Sequence, residues 1–420
     1  MRKGSIRPAG WALLAIAAVG SARAMAAPAS HGETPVAEIV LLRHGVRSPT
    51  SAPDVHASYA NQPWPSWPVA PGILTPHGHA GMQALGAFYR QRLIASGGLG
   101  QACPTTDQLQ VIADTTPRNK ESAQAVIDGL VPGCHLPFLA MPGGDNNPLF
   151  HYTKGDKDKD DDAAGPALTE VSPALAELQA ILLGCNDKAC LTSASASGKK
   201  LLIEDDKPTA KAGKLSGTFS ENLMLAYAEG KPANEVAWRR ADVAKLGKVI
   251  VLHNEAFTRD KKSMPAAAQA GSNLAAHILA TLQAAAGEPT TAAPFSSRGR
   301  GTFVLIGHDT NLANIAGVFG LDWHDTNRPD DYPPGGGLVF DLFKRGNQYV
   351  VKMSALMPSM DDLRRNHFEG MRPAKLHVGG CGDHDECPLT VFAAAAAKSI
   401  DTSRVMPNLP AMTPQSQGAP

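Results

Sequence analysis

Apolar positions in this 420-residue chain follow two alternating rhythms. Short continuous runs at 39–42, 109–113 and 303–306 have the length of buried strands, and each closes in a polar loop. Beyond each loop the spacing becomes helical. Leu74-Thr75-Pro76 offers an N-cap threonine and a proline suited to the first helical position, and Met82, Leu85, Tyr89 and Leu93 then share a face. Ala123, Val126, Ile127 and Leu130 recur at helical spacing and run out at Gly133; Leu312, Ile315, Ala316 and Phe319 repeat the pattern. Strand, loop and helix in repeated order predict an α/β fold with a mainly parallel sheet flanked by helices.

The length exceeds that of most single domains. Segments 35–140 and 299–400 carry the strand–helix rhythm and predict one discontinuous α/β catalytic domain. Segment 141–298 is richer in helix signals and loops and predicts a mostly α-helical cap insertion. The alanine-rich stretches 264–286 and 393–397 predict ordinary helix. The last residues, 404–420, are rich in Pro, Gln and Met and predict a disordered tail. The acidic stretch 154–162 lacks calcium-loop chemistry. Counted from Asp156, Asp161 stands where an EF-hand needs glycine and Ala167 where it needs glutamate, so a solvated surface loop is expected.

The first residues read as a targeting segment. Arg2, Lys3 and Arg7 precede an apolar stretch at 11–19, and Ala24-Met25-Ala26 fits a cleavage site, which predicts a signal peptide over 1–26. That stretch is too short to span a bilayer, so a periplasmic or secreted protein with no membrane partner is expected. The chain has 39 basic and 39 acidic residues. Removing Arg2, Lys3, Arg7 and Arg23 leaves 35 basic against 39 acidic, a net −4 that argues against a nucleic-acid partner. Cys103, Cys134, Cys185, Cys190, Cys381 and Cys387 form an even set, which suits disulfides in an oxidising compartment. A zinc site at Cys381, His384 and Cys387 is the rival, but its spacing is not that of a structural zinc knuckle.

Chemistry gathers at two of the strand ends. Arg43-His44-Gly45-Val46-Arg47-Ser48-Pro49-Thr50 follows the first run and sets a histidine between two arginines. Guanidinium forks match phosphate oxygens, and an imidazole can attack phosphorus. Gly307-His308-Asp309-Thr310-Asn311 follows the third run, and Arg118 lies in the loop after the second. Ligands of open α/β sheets sit beyond the carboxyl ends of the strands, so these residues can converge there.

Taken together, these motifs resemble the histidine acid phosphatases of the histidine phosphatase superfamily, branch 2. Within them, the bacterial periplasmic phytases and glucose-1-phosphatases are most similar. Trp64-Pro65-Ser66-Trp67-Pro68-Val69 and Pro333-Pro334-Gly335-Gly336 add to the likeness, which runs over about 37–392. The resemblance implies a Rossmann-like, phosphoglycerate mutase-like fold. It implies His44 as nucleophile and Asp309 as proton donor. Arg43, Arg47, Arg118 and His308 would hold phosphate, Thr50 would line the site, and no metal or other cofactor would be needed. With proximity in sequence, it also implies the pairs 103–134, 185–190 and 381–387. Glu221 resembles an acidic residue on the substrate side of the family's cap. His253, in a helical stretch that also resembles that cap, is not counted among the site residues, and Trp64 and Trp67 read as packing.

The substrate signals divide. Thr310 matches the phytases, where the glucose-1-phosphatases carry serine. Val236-Ala237-Trp238 after Ala228-Glu229-Gly230 matches the latter, and Ser51 stands where the phytases have a lysine. The expectation is a monomeric, exported acid phosphatase for small phosphomonoesters, with phytate as the leading substrate and glucose-1-phosphate or another sugar phosphate as the alternative. A mutase-type transfer enzyme fits poorly with a signal segment and six cysteines. A non-catalytic phosphate-binding protein would need the arginines but not His44 and Asp309.

Overall fold

The structure, a computed structural model, describes residues 1, 32–143, 146–151, 168–382 and 386–416. The expected signal segment and the acidic stretch 154–162 lie outside the described residues, apart from Met1. In chain order the described elements begin with β1 (Glu33–Arg43), α1 (Pro76–Ser96), β2 (Leu109–Ala113), α2 (Pro117–Leu130) and β3 (Phe138–Ala140). A helical stretch follows, with α3 (Pro173–Leu183), α4 (Lys188–Ala196), the small hairpin β4 (Ile203–Glu204) and β5 (Lys207–Pro208), α5 (Ala212–Ala228), α6 (Val243–Phe257) and α7 (Ala266–Ala286). The last part holds β6 (Gly301–Gly307), α8 (Asp309–Phe319), β7 (Gly337–Arg345), β8 (Gln348–Leu356), α9 (Met360–Arg365), β9 (Ala374–Leu376), β10 (Cys387–Pro388), α10 (Leu389–Ser399) and β11 (Thr413–Gln415).

The main sheet runs β10-β8-β7-β1-β6-β2-β3-β11, with β9 on β8. Its centre, β1, β6, β2 and β3, is parallel, as the strand–helix rhythm predicts. The β7–β8 hairpin and β11 add antiparallel pairs on either side. Beta-1 reads as a continuous apolar run because both of its faces are covered. Val40 and Leu42 pack with Met82, Leu85 and Tyr89 of α1 and Val126 of α2. Ile39 and Leu41 pack with Leu274 and Ile278 of α7 and with Leu312 and Ile315 of α8. All four strand residues are fully buried. Truncating one, Leu41→Ala for example, should cost about 2–5 kcal/mol.

Helix starts follow their caps. Thr75 Oγ1 accepts from Gly78 N at 2.9 Å, and Pro76 opens α1. The two glycines near this junction are there for space. A Cβ on Gly45 would lie 2.6 Å from Met82 Cγ, and one on Gly78 would lie 2.0 Å from the Val46 carbonyl oxygen. Only their absence lets α1 lie against the loop that carries His44. The loop is further tied by Arg43 N to Gly336 O (2.9 Å), His44 N to Gly307 O (3.0 Å) and Gly335 N to His44 O (3.1 Å).

Two expectations change. Helix α7, within the stretch read as cap, packs against α8 and β1, so it completes the layer behind the sheet. Within the tail expected to be disordered, the described residues 404–416 are built into the fold. Thr413, Pro414 and Gln415 pair with Ala140, Leu139 and Phe138, and Met406 N donates to Asn273 Oδ1 at 2.8 Å. An edge strand and a buried amide supply the backbone partners that the local composition does not reveal. The disulfides are Cys103–Cys134, Cys185–Cys190 and Cys381–Cys387, so Cys381 and Cys387 are not zinc ligands. No helix among the described residues is long and apolar enough to cross a membrane.

Candidate active site

The carboxyl ends of β1, β2 and β6 lie side by side, because β6 pairs with both of the others in parallel register. This alone brings Arg43, His44, Asp114, His308 and Asp309 to one place. His44 is buried, and its Nδ1 lies 2.9 Å from Gly45 O. A carbonyl only accepts, so Nδ1 carries the hydrogen and the Nε2 lone pair is left free. Burial disfavours charge on the ring, and Arg118, Arg43, Arg47 and His308 add to that effect. His44 is therefore held well below the usual imidazole range and stays neutral in acid.

Arg43 is fully buried and donates to the Tyr332 carbonyl oxygen and to Glu221 Oε1. Its Nη2 also lies 2.8 Å from Asp309 Oδ2. Arg47 Nη2 reaches Glu221 Oε1 at 3.0 Å and Oε2 at 3.2 Å. Glu221, on α5, thus spans both guanidinium groups. Burial opposes its charge, but Arg47 and Arg43 outweigh burial and keep it ionised. The same balance sets Asp309. Burial, the largest single influence, pushes its carboxyl up, but Arg43, His253 and Arg47 together pull harder, and the net value falls below that of an ordinary aspartate.

His308 caps α8, and Asp309 is the first helical residue. His308 N donates to Asn311 Oδ1 at 2.8 Å. Its Nε2 lies 2.7 Å from Asp114 Oδ2, and its Nδ1 lies 3.3 Å from Arg118 Nη2. Arg118 also donates to Gly72 O at 3.4 Å. The rings of His44 and His308 meet edge to face with centroids 5.5 Å apart. Thr50 is exposed at the rim; a Cβ on Gly72 would lie 3.8 Å from both its methyl group and Arg118 Nη1.

Four further groups belong to the cluster. Asp114 and His151 were not picked out from the sequence, although Asp114 directly follows a buried strand and carries the positional signal that marks His44. His253, set aside in the sequence, is buried with neither ring nitrogen hydrogen-bonded. It faces Glu221 and Asp309, with ligand-type atoms of all three within 4.8 Å of one another. Asp330 is buried beside them with Oδ2 unpartnered. Two triads could offer atoms to a cation: Asp114 with His151 and His308, and Glu221 with His253 and Asp309. In the first, both histidine nitrogens already meet the carboxylate; in the second, Arg43 is the resident cation. Trp64 packs on Phe219 and Trp238, as read from the sequence.

What converges is a cationic pocket around a neutral imidazole with a carboxyl at its edge, a set suited to transferring a phosphoryl group to histidine. Over residues 38–355 the chain matches the histidine phosphatase superfamily (branch 2), and it belongs to that family. This makes it one of the histidine acid phosphatases and phytases, whose chemistry is hydrolysis of phosphoric monoesters. It is 29% identical to phytase AppA of Escherichia coli (strain K12) over 389 residues, covering 84% of this chain and 89% of the relative. It is 26% identical to a glucose-1-phosphatase of Salmonella typhimurium over 385 residues, covering 84% and 90%. The solved Hafnia alvei phytase in complex with myo-inositol hexakis sulphate superposes with a TM-score of 0.77 at 26% identity, covering 90% of this chain and all of that one.

Proposed function

We propose that this chain is an exported acid phosphatase that works through phosphate on His44 and accepts phytate among its substrates. The observation that carries the reading is the fixed tautomer of His44: Nδ1 is tied to Gly45 O, and Nε2 is free beside the arginine cluster. In the first step Nε2 attacks phosphorus, and the bond to the ester oxygen breaks. Arg43, Arg47, Arg118 and His308 bind the charged oxygens, and Asp309 gives its proton to the leaving alkoxide. In the second step water attacks the phosphohistidine, Asp309 takes back a proton, and inorganic phosphate leaves. The substrate must first displace Glu221 from Arg43 and Arg47. Helices α3, α5 and α6 act as the cap in this reading, and α5 and α6 deliver Glu221 and His253. Rapid quenching of labelled substrate at neutral to alkaline pH, where phosphohistidine survives, tests the proposal. Label should remain on the wild-type chain and not on His44→Ala; a variant near wild-type rate would refute it.

One observation favours a less charged leaving group. A cleft of about 260 Å³ includes Ser48 and Asn222, which directly follow Arg47 and Glu221 in the chain. Trp64, Trp67, His56 and Ser51 help to line it, and its lining contains neither lysine nor arginine. A sugar monophosphate suits such a wall better than an inositol carrying many phosphates. Comparing kcat/KM for phytate and glucose-1-phosphate decides between them.

A further inference from the structure

Resting on that reading of the pocket, we propose that oxyanion binding draws one proton from solvent onto His308 Nδ1. Asp114 is the positioning residue that makes this uptake possible. Asp114 directly follows β2 with its side chain wholly buried, and its backbone N–H is fixed to Ile306 O at 3.0 Å. One oxygen, Oδ2, meets two imidazoles: His308 Nε2 at 2.7 Å and His151 Nε2 at 3.1 Å. Burial opposes its charge, but the hydrogen bonds from His151 and His308 outweigh it and hold Asp114 below the usual carboxylate range. It is therefore ionised and can only accept, so both Nε2 atoms carry hydrogen. Asn119 Nδ2 lies 3.2 Å from the same His308 nitrogen and has a second hydrogen besides the one given to Ile306 O, but the shorter 2.7 Å contact with the ionised carboxylate requires the hydrogen on Nε2.

With Nε2–H fixed, a neutral His308 has its lone pair on Nδ1. The Arg118 contact at 3.3 Å fits this, since a guanidinium only donates. An oxyanion seated among the arginines would face that lone pair. Turning the tautomer around would set the Nε2 lone pair against Asp114 and strip a buried carboxylate of a hydrogen bond. Adding a proton to Nδ1 instead puts an imidazolium between two anions and frees Arg118 Nη2 for an oxyanion oxygen.

The groups facing His308 leave it as the acceptor of that proton. Arg118 is always charged, and His44, across the pocket, is held neutral. Asp114 is ionised, and His151 is the one other imidazole, its ring centroid 4.9 Å away. In the open site burial lowers His308, Asp114 opposes, and His151 and Arg118 add to burial, so the ring begins neutral.

The test is calorimetric titration of the whole chain with myo-inositol hexakis sulphate and with inorganic sulfate. Neither anion titrates near the usual imidazole value of about 6.5, and a carboxyl group of ordinary pKa is already ionised there. Repeating the titration in buffers of different ionisation heat counts the protons. Wild type should take up a proton, less so as the pH is lowered. In Asp114→Asn the amide can donate to Nε2 and leave the ring hydrogen on Nδ1, so the anion should bind without uptake. His151→Gln and Glu221→Gln should keep the uptake, and so should Asp309→Asn, which removes the carboxyl that an anion on Arg43 would also raise. Binding by wild type with no proton exchanged, or an unchanged uptake in Asp114→Asn, overturns the proposal. Loss of uptake in His151→Gln or in Asp309→Asn moves the proton to another group and overturns it too. Failure of wild type to bind either anion refutes the phosphate-pocket reading itself. The wild-type count stands even if a variant misfolds.

Discussion

Asp309 Oδ2 lies 2.8 Å from Arg43 Nη2, so the proposed proton donor is ion-paired to a proposed phosphate-holding cation. Burial raises the Asp309 carboxyl most, but Arg43, His253 and Arg47 together outweigh burial and hold it below the usual value. A lowered carboxyl pKa means that the acid form exists only at low pH and disappears as pH rises. A phosphoryl group on Arg43 and Arg47 offsets their charge and raises Asp309 again. The falling alkaline limb should therefore lie at higher pH for kcat than for kcat/KM, after correction for substrate ionisation. Coincident limbs in pH–rate profiles would remove Asp309 from the donor role.

Asp309→Asn should separate esters by leaving group. A poor alkoxide needs its proton in the transition state, whereas a nitrophenolate hardly does. General acid assistance amounts to about 10²–10⁴-fold, so losses on sugar phosphates should far exceed losses on para-nitrophenyl phosphate. Parallel losses would indicate that Asp309 only orders the start of α8.

Glu221 holds the position that a phosphate should take, bonded to Arg43 and Arg47 at once. Glu221→Gln keeps the shape and removes the charge. A charge-assisted hydrogen bond contributes about 1.5–3 kcal/mol, so inhibition by inorganic phosphate should tighten about tenfold or more. An inhibition constant equal to wild type would show that Glu221 does not compete with the anion.

The three disulfides close loops of different length, with sequence separations of 31, 5 and 6. Loop-closure entropy predicts that opening Cys103–Cys134 costs about 1.5 kcal/mol more than opening either short pair. Paired Cys→Ser variants compared by chemical denaturation should rank in that order. A short pair that proves the most costly would show that native packing, not the unfolded chain, sets the effect.

Arg43, His44, His308 and Asp309 are legible in the sequence because each lies within three residues of the end of an apolar run. Asp114 lies there too. What hides it is that its partners are 37 and 194 residues away, so no local pattern marks it as paired. Glu221 lies 178 residues from Arg43, on a helix whose register relative to the sheet only the folded chain defines. The parallel centre of the sheet is legible from its strand–helix rhythm. The three-residue strand β11 is not, since its order comes from pairing with β3 and not from its own composition.

Away from the pocket, Glu38 of β1 and Asp341 of β7 face each other across the sheet and share one guanidinium, that of Arg92. Tyr89 is buried nearby, and Lys352 stands opposite Asp341 in the next strand. Two carboxylates with one close cation favour keeping a proton. Burial above all, then Asp341, push Glu38 up to about 8, against the pull of Arg92. The unfolded chain gives up that proton near the ordinary glutamate value of about 4.3. Between these values the fold holds a proton that the unfolded chain has lost, so stability falls as pH rises and levels off above about 8. The effect should amount to a few kcal/mol in order of magnitude. Glu38→Gln cannot ionise and should lose much less stability than wild type between pH 5 and pH 9 in urea unfolding. If both lose the same amount, the buried pair is not the group whose proton favours the folded state in acid.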